Sequence, residues 1–199
     1  MVKHQLKILC ISLIFALLFL ASGFVFKRVE AQTLNSQVLG MHILHPDEIN
    51  QFRQIYKDEA WRFVTIPLTL NDVGNYGEWQ KFFDQAYQLK VIPIIRLSTR
   101  FDTSLNAWQI PSRKDIVSLA NFLSSLNWHQ DEKFVIVFNE VNHAAEWGGK
   151  IDPLLYGGVL KFTSNWFRSE GKNYKILPAA MDLAANNSKE TREAFSYLK

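Results

Sequence analysis

The sequence predicts an α/β protein with a parallel sheet, because short apolar segments alternate along the chain with longer amphipathic ones. The apolar segments are rich in Ile, Val and Phe and nearly continuous in hydrophobicity, which is typical of parallel strands buried on both faces. The predicted strands are Val38–Leu44, Trp61–Leu68, Val91–Leu97, Lys133–Asn139 and Tyr174–Ala180.

Helices are predicted between these strands, where apolar residues recur at helical spacing. Ser112 with Asp115 has the pattern of a helix-start cap, and Asp152-Pro153 places proline at a first helical position. The predicted helices span 46–57, 76–88, 112–126 and 152–170, and a further one begins near Ser188.

Two architectures share this alternation, a doubly wound sheet and a TIM (β/α)8 barrel. The first strand contains the isolated Gly40 rather than a glycine-rich phosphate loop, and Gly148-Gly149 lacks a Walker lysine-serine pattern, which disfavours nucleotide binding. We therefore predict the barrel. A complete barrel takes about 250 residues, whereas removing a 31-residue leader from the 199 residues leaves 168. We expect a barrel truncated to about five βα units.

The composition is that of a globular protein, with 48% hydrophobic and 14% aromatic residues. Of the 22 basic and 19 acidic side chains, residues 1–31 hold four basic ones and one acidic one, which leaves 18 of each. The domain is therefore neutral, which disfavours nucleic acid as a partner.

Residues 1–31 have the pattern of an export signal, with a basic start and an uncharged apolar run from Ile8 to Phe26. Small residues in Val29-Glu30-Ala31 fit a signal-peptidase site. The apolar run has 19 residues, close to the length that spans a bilayer. Both a cleaved signal peptide and a retained membrane anchor remain open, and either makes the domain, 32–199, extracytoplasmic. The single cysteine, Cys10, lies in the leader, so the domain contains no disulfide.

Polar side chains follow the predicted strands, where a barrel places its active site. The sharpest of these patterns is Asn139-Glu140, which ends a buried apolar strand. A carboxylic acid at this position can protonate the leaving oxygen of a glycoside and then deprotonate water. The neighbouring amide can hydrogen-bond a sugar hydroxyl.

The segment Phe134–His143 resembles the end of the fourth strand in clan A, the superfamily of (β/α)8-barrel glycoside hydrolases with two catalytic glutamates. The resemblance covers roughly residues 38–182, and the sequence differs in having Val141 where the family commonly has proline. It implies that Glu140 is the general acid/base and that Asn139 contacts the sugar 2-hydroxyl. The family's nucleophile is a glutamate after a seventh strand, which we expect this chain to lack. The resemblance implies cleavage of O-glycosidic bonds in an extracytoplasmic glycan, with this fragment inactive alone.

Further residues at the strand ends are predicted to contact the carbohydrate: Arg96, His143, Trp147, His42 and Asp182. Arg96 either orients Glu140 or forms a salt bridge within the barrel. Trp147 either stacks on a sugar ring or packs over the fourth loop. Asp182 either lines the cleft or caps the next helix.

Two alternatives to a hydrolase remain. A non-catalytic surface module would bind glycans through Trp147, Arg96 and His143 without cleaving them. A metal-dependent sugar-processing enzyme would draw its ligands from the strand ends, namely His42, His45, Glu140, His143 and Glu146, although their spacing matches no zinc signature. The preferred hypothesis needs no metal and no cofactor. Its partners are a carbohydrate substrate and, if the leader is uncleaved, a membrane.

Overall fold

The computed structural model of the protein describes residues 40–55, 60–171 and 173–199, without the side chain of Arg53. The predicted leader, 1–31, lies outside these residues, as does the beginning of the first predicted strand. All described residues belong to one unit, Val38–Lys199. Within them, the structure contains no helix of the length and apolarity needed to cross a membrane.

Five parallel strands form one sheet in the described part of the chain, and each pairs with the next along the sequence. The sheet strands are β1 (Gly40–His42), β2 (Arg62–Leu68), β3 (Val91–Leu97), β6 (Lys133–Val137) and β7 (Tyr174–Pro178). Two short strands, β4 (Phe101–Asp102) and β5 (Ala107–Trp108), form a separate antiparallel hairpin.

Helices connect the sheet strands. They are α1 (Phe52–Ile55), which continues a 3-10 helix over Pro46–Gln51, then α2 (Tyr76–Gln88), α3 (Arg113–Ser124), α4 (Pro153–Glu170) and α5 (Ala194–Tyr197). The predicted cap of α3 is present, because Ser112 Oγ accepts from the Asp115 N–H at 3.2 Å and Asp115 Oδ2 accepts from the Ser112 N–H at 2.8 Å. Another 3-10 turn, Ala144–Glu146, follows β6.

The two faces of the sheet have different surroundings, because successive side chains of a strand point to opposite faces. One set is buried against the helices: Val64, Ile66, Leu68, Val91, Ile95, Leu97, Val135 and Val137. The helices contribute mainly aromatic side chains to this core: Trp79, Phe82, Phe83, Leu119, Phe122, Leu123 and Phe167. The other set is half-buried and lines a cavity: Phe63, Thr65, Ile94, Arg96 and Ile136.

The α/β fold with a parallel sheet is confirmed, and β2 and β3 lie within one residue of their predicted limits. The helix predicted near Ser188 is wrong. Ser188 Oγ accepts from the N–H groups of Glu190 at 3.0 Å and Thr191 at 2.9 Å, so it closes a turn, and α5 begins only at Ala194. The hairpin of β4 and β5 was not predicted.

Candidate functional site

The end of β6 carries Asn139 and Glu140 in an unfavourable backbone conformation. The φ angles of Phe138 and Glu140 are +71° and +24°, a region that residues with a Cβ atom rarely adopt. The ring of Phe138 is buried and packs against Trp147, with 5.7 Å between the ring centroids. Packing therefore supports the strained turn, and strain of this kind is concentrated at functional sites.

Arg96 connects β3 to this turn. Its Nη1 donates to Asn139 Oδ1 at 2.9 Å, and its buried Nε has no hydrogen-bond partner among the described residues. Burial lowers the pKa of the guanidinium, while the charges of Glu146 and Glu140 act to raise it. Arginine stays protonated under such conditions. The structure thus holds a cation beside Glu140, with donors left for another group.

A cavity of about 690 Å³ lies along the uncovered face of the sheet and extends to the carboxyl ends of the strands. His42, Arg96, Asn139 and Glu140 all contribute to its lining, as does Ala180 after β7. This volume falls in the range of small-molecule sites. The structure therefore brings together four of the predicted site residues, which come from three different strands.

His42 contributes an imidazole to the lining of this cavity. Burial lowers the pKa of its imidazole, the charge of Arg96 lowers it further, and Glu48 opposes both effects. An imidazole with a pKa below 6.5 is uncharged at pH 7. His42 can therefore donate one hydrogen bond and accept another without adding charge.

Glu146 is the carboxyl group that the sequence analysis considered only as a metal ligand. It is half-buried at the end of the 3-10 turn, and burial raises its pKa. The charge of Glu140 also raises this pKa, whereas the side-chain amide of Asn139 and the charge of Arg96 act against the shift. Glu146 is not among the described residues that line the cavity.

His143 and Asp182 form a separate pair, with 2.9 Å between Nε2 and Oδ2. Backbone hydrogen bonding from Ala184 and the hydrogen bond from His143 lower the pKa of Asp182. The prediction that Asp182 caps a helix is wrong, because its Oδ1 accepts from the Ala184 N–H at 2.8 Å in a turn. Neither partner is among the described residues that line the 690 Å³ cavity.

Asn142 joins the loop after β6 to the chain after β7. Its side chain is fully buried, and its Nδ2 donates to the carbonyls of Asp182 at 3.0 Å and Arg192 at 2.9 Å. Its Oδ1 accepts from the Asp182 N–H at 3.1 Å. A buried amide with these bonds fixes the loops on which His143 and Glu146 lie.

Trp147 is fully buried, so the prediction that it stacks on a sugar is wrong. Its ring packs against Phe138 and edge-on against Tyr156, at 5.4 Å between centroids, which confirms the alternative prediction of packing over the fourth loop. The Tyr156 hydroxyl donates to the Val137 carbonyl at 3.1 Å and accepts from the Ala179 N–H at 2.6 Å. Burial raises the pKa of Tyr156 to about 12.

The residues considered as metal ligands do not come together as a group in the part of the chain that the structure describes. Within residues 40–55, 60–171 and 173–199, no group of three His, Cys, Asp or Glu side chains is placed to hold a metal ion. His45 lies at the start of the 3-10 helix, where its N–H donates to Glu48 Oε2 at 3.2 Å. Its side chain is exposed and absent from the described cavity lining.

The site therefore consists of one carboxyl group in a cavity, an adjacent amide held by a partly buried arginine, and an imidazole in the lining of the same cavity. Such a set can donate and accept protons and can hydrogen-bond a polyhydroxylated ligand. No protein-family model and no curated protein matches the chain.

Proposed function

We propose that this chain carries the acid/base part of a glycoside hydrolase, with Glu140 as the proton donor and acceptor. The observation that supports this most is the placement of Asn139-Glu140 after the fourth strand of the parallel sheet, with Arg96 Nη1 bound to Asn139 Oδ1 at 2.9 Å. This is the position that the resemblance to clan A assigns to the acid/base glutamate.

We further propose that the described residues form the first five βα units of a (β/α)8 barrel. A parallel sheet is stable when both faces are covered, and the helices cover only one face here. The opposite face includes the half-buried Phe63, Ile94 and Ile136 and the exposed Leu177. The strand order follows the chain without a reversal, as in a barrel. Closure by further strands would cover this apolar face and pair the edges at β1 and β7.

In the proposed reaction, the Glu140 carboxyl gives its proton to the glycosidic oxygen as the bond between that oxygen and the anomeric carbon breaks. The resulting carboxylate then takes a proton from the attacking water. Asn139 hydrogen-bonds the sugar 2-hydroxyl, and Arg96 holds Asn139 in place. A second carboxylate, supplied by the remainder of the barrel, forms a bond to the anomeric carbon as the leaving oxygen departs, and the attacking water then displaces this carboxylate.

The substrate in this proposal is a glycan outside the cytoplasm, because residues 1–31 have the pattern of an export signal or anchor. The charge balance of the domain supports a carbohydrate over a nucleic acid as its partner.

The full-length product of the gene tests the proposal in an assay that follows chromophore release from a panel of aryl glycosides. Glu140→Gln keeps the shape of the side chain and removes the ionisable carboxyl proton, so we expect a rate loss of about 10²–10⁴-fold. The matched control is Glu132→Gln, since Glu132 lies just before β6 and only pairs with exposed Lys175 at 3.0 Å. The control should keep the full rate.

Equal rates for Glu140→Gln and the wild type would overturn the assignment of Glu140. Oligosaccharide binding without any turnover by the wild type would instead support the glycan-binding alternative. Isothermal titration calorimetry with the same sugars separates these two outcomes.

A further inference from the structure

A second cavity, of about 320 Å³, lies between three loops, and none of its described lining residues belongs to the 690 Å³ cavity. The loops are the turn of the β4–β5 hairpin, the segment after β6 and the segment after β7. Their contributions to the lining include Leu105, Asn106, His143, Ala145, Glu190 and Thr191. The volume lies near the lower limit of small-molecule sites. The proposed acid/base step makes no use of this cavity.

The second cavity adjoins the candidate catalytic residue through one backbone hydrogen bond. The His143 N–H donates to the Glu140 carbonyl at 2.7 Å. Glu140 lines the first cavity and His143 lines the second. The two cavities are therefore joined by a single tight turn of the loop after β6.

Backbone hydrogen bonds hold the walls of the second cavity together. The Ala144 N–H donates to the Glu190 carbonyl at 2.7 Å, which joins the loop after β6 to the loop after β7. The Gly148 N–H donates to the Trp108 carbonyl at 2.8 Å, which attaches the hairpin. A Cβ atom on Gly148 would lie 2.7 Å from the Ile110 side chain, so this close approach requires glycine. A cavity with walls fixed in advance loses little entropy when a ligand binds.

The side chains of the second cavity combine hydrogen-bonding groups with apolar surface. Nε2 of His143 lies 2.9 Å from Asp182 Oδ2, which leaves Nδ1 as the ring nitrogen for a further hydrogen bond. The Glu190 carboxylate is an acceptor for hydroxyl groups, and Leu105 presents an exposed apolar side chain beside it. A sugar has hydroxyl groups and C–H faces that match both. The described lining includes this carboxylate and neither Lys nor Arg, so it favours a neutral sugar over an acidic one.

We propose that the second cavity is a subsite for a neutral saccharide unit, in which Glu190 and His143 hydrogen-bond the hydroxyl groups and Leu105 packs against the C–H face. The substrate is then an oligosaccharide or polysaccharide, with one unit at Glu140 and a further unit in the second cavity. The link to cleavage rests on the proposed function, whereas saccharide binding in the second cavity does not. His143 contacts carbohydrate in this proposal, but outside the cavity that contains Glu140.

Isothermal titration calorimetry of the full-length protein with Glu140→Gln, which suppresses cleavage, tests the subsite. The probes are cellohexaose, mannohexaose and N-acetylchitohexaose, the monosaccharide of each, and the hexamer of galacturonic acid. We expect at least one neutral hexaose to bind about tenfold more tightly than its monosaccharide, and more tightly than the acidic hexamer. Ala145→Leu narrows the cavity and should reduce the affinity for that hexaose toward the value for the monosaccharide.

The matched control is Ala184→Leu, because Ala184 is also an exposed alanine in a loop at this end and is outside the described lining of both cavities. It should keep the affinity for the hexaose. Glu190→Gln preserves the size of the side chain and should weaken hexaose binding by about tenfold through the loss of a charge-assisted hydrogen bond. This variant covers the case in which Ala145→Leu does not fold.

Equal affinities for hexaoses and monosaccharides, tightest binding of the acidic hexamer, or no binding of any hexaose would overturn the subsite. Cleavage assays without Glu140→Gln separate this failure from that of the proposed function. If hexaoses are cleaved and Ala145→Leu changes neither binding nor cleavage, the subsite is wrong and the proposed function stands. If hexaose binding depends on Ala145 and Glu190 but no glycoside is cleaved, the subsite stands and the proposed function fails.

Discussion

Both ends of the sheet strands carry a His–Asp pair, but the carboxyl ends also place Arg96 and Glu140 in the lining of a cavity. His129 Nε2 lies 2.7 Å from Asp84 Oδ1, and the His129 ring lies beside Tyr87 at 5.2 Å between centroids. The ammonium group of Lys133 lies 5.1 Å from the centroid of the Tyr174 ring, a cation–π contact. Both side chains are thus held by neighbouring groups.

At the carboxyl ends, Arg96 makes one side-chain hydrogen bond in the described part of the chain, and the burial of Glu146 opposes its ionisation. The strained φ angles of Phe138 and Glu140 occur beside them. Incompletely paired charges lower stability but remain available to a ligand. This difference is what we expect if the carboxyl end is the one that binds a ligand, as proposed above.

The largest effect on stability is expected from removing a buried tryptophan at either end of the sheet. Trp147 and Trp128 have exposed fractions of 0% and 1%, so the alanine substitution at either one should lower the free energy of unfolding by about 3–5 kcal/mol. Chemical denaturation measures this loss. Only Trp147→Ala should weaken oligosaccharide binding by the folded protein, because Trp147 supports the loop of Glu146. Equal weakening by Trp128→Ala would show that the two ends do not differ in role.

Trp147 also illustrates what the sequence can predict. Strands buried in a parallel sheet are almost continuously apolar, so Val91–Leu97 could be located from the sequence. The polar residues that follow β6 could be identified in the same way as a candidate functional site. Whether Trp147 faces solvent depends on the path of the loop, which brings its ring against Phe138 and Tyr156, and residue spacing does not predict that path. The sequence analysis therefore left this residue with two interpretations.

Glu146 and Ser188 show the same limit of prediction from local sequence. Glu146 lies at the end of a 3-10 turn that follows β6, and the spacing of residues in the sequence does not predict this turn. Ser188 has the chemistry of a helix cap, but its hydroxyl serves a turn equally well. Local pattern predicts which groups can form a bond, whereas tertiary packing decides which bond forms.

A smaller effect is expected from removing one buried hydroxyl at the carboxyl end. Tyr156→Phe leaves the Val137 carbonyl and the Ala179 N–H without the bonds that join β6 to β7. Unpaired buried groups cost about 1–3 kcal/mol, so the midpoint of thermal unfolding should fall clearly.

The matched substitution at the amino end is Tyr174→Phe. The Tyr174 hydroxyl has one partner, Ser124 Oγ at 3.1 Å, and this bond is only partly buried. Its loss should cost about 0.5–1.5 kcal/mol. A larger loss for Tyr174→Phe than for Tyr156→Phe would contradict the view that the Tyr156 hydroxyl holds the two strand ends together.

The smallest and most specific effect concerns the free energy of unfolding, to which the ionised forms of two carboxyl groups should contribute with opposite sign. The hydrogen bond from His129 is the main cause that lowers the pKa of Asp84 below 3.8, so its stabilising contribution is present above that value and is lost as the pH falls through the folded-state pKa. Burial raises the pKa of Glu146 above 4.5, so ionisation of Glu146 destabilises the fold as the pH rises through the folded-state pKa.

Asp84→Asn should therefore lower the free energy of unfolding at pH 7, whereas Glu146→Gln should raise it, and both differences should vanish in acid below the two pKa values. The carboxyl group of Asp84 is accessible to solvent, so solvent screening keeps its contribution to the free energy of unfolding small. Urea denaturation of the two variants and the wild type over a series of pH values measures both differences. Destabilisation by Glu146→Gln at pH 7 would mean that the ionised carboxylate contributes more through Asn139 and Arg96 than its burial costs, and the carboxyl end would then resemble the amino end in its pairing of charge.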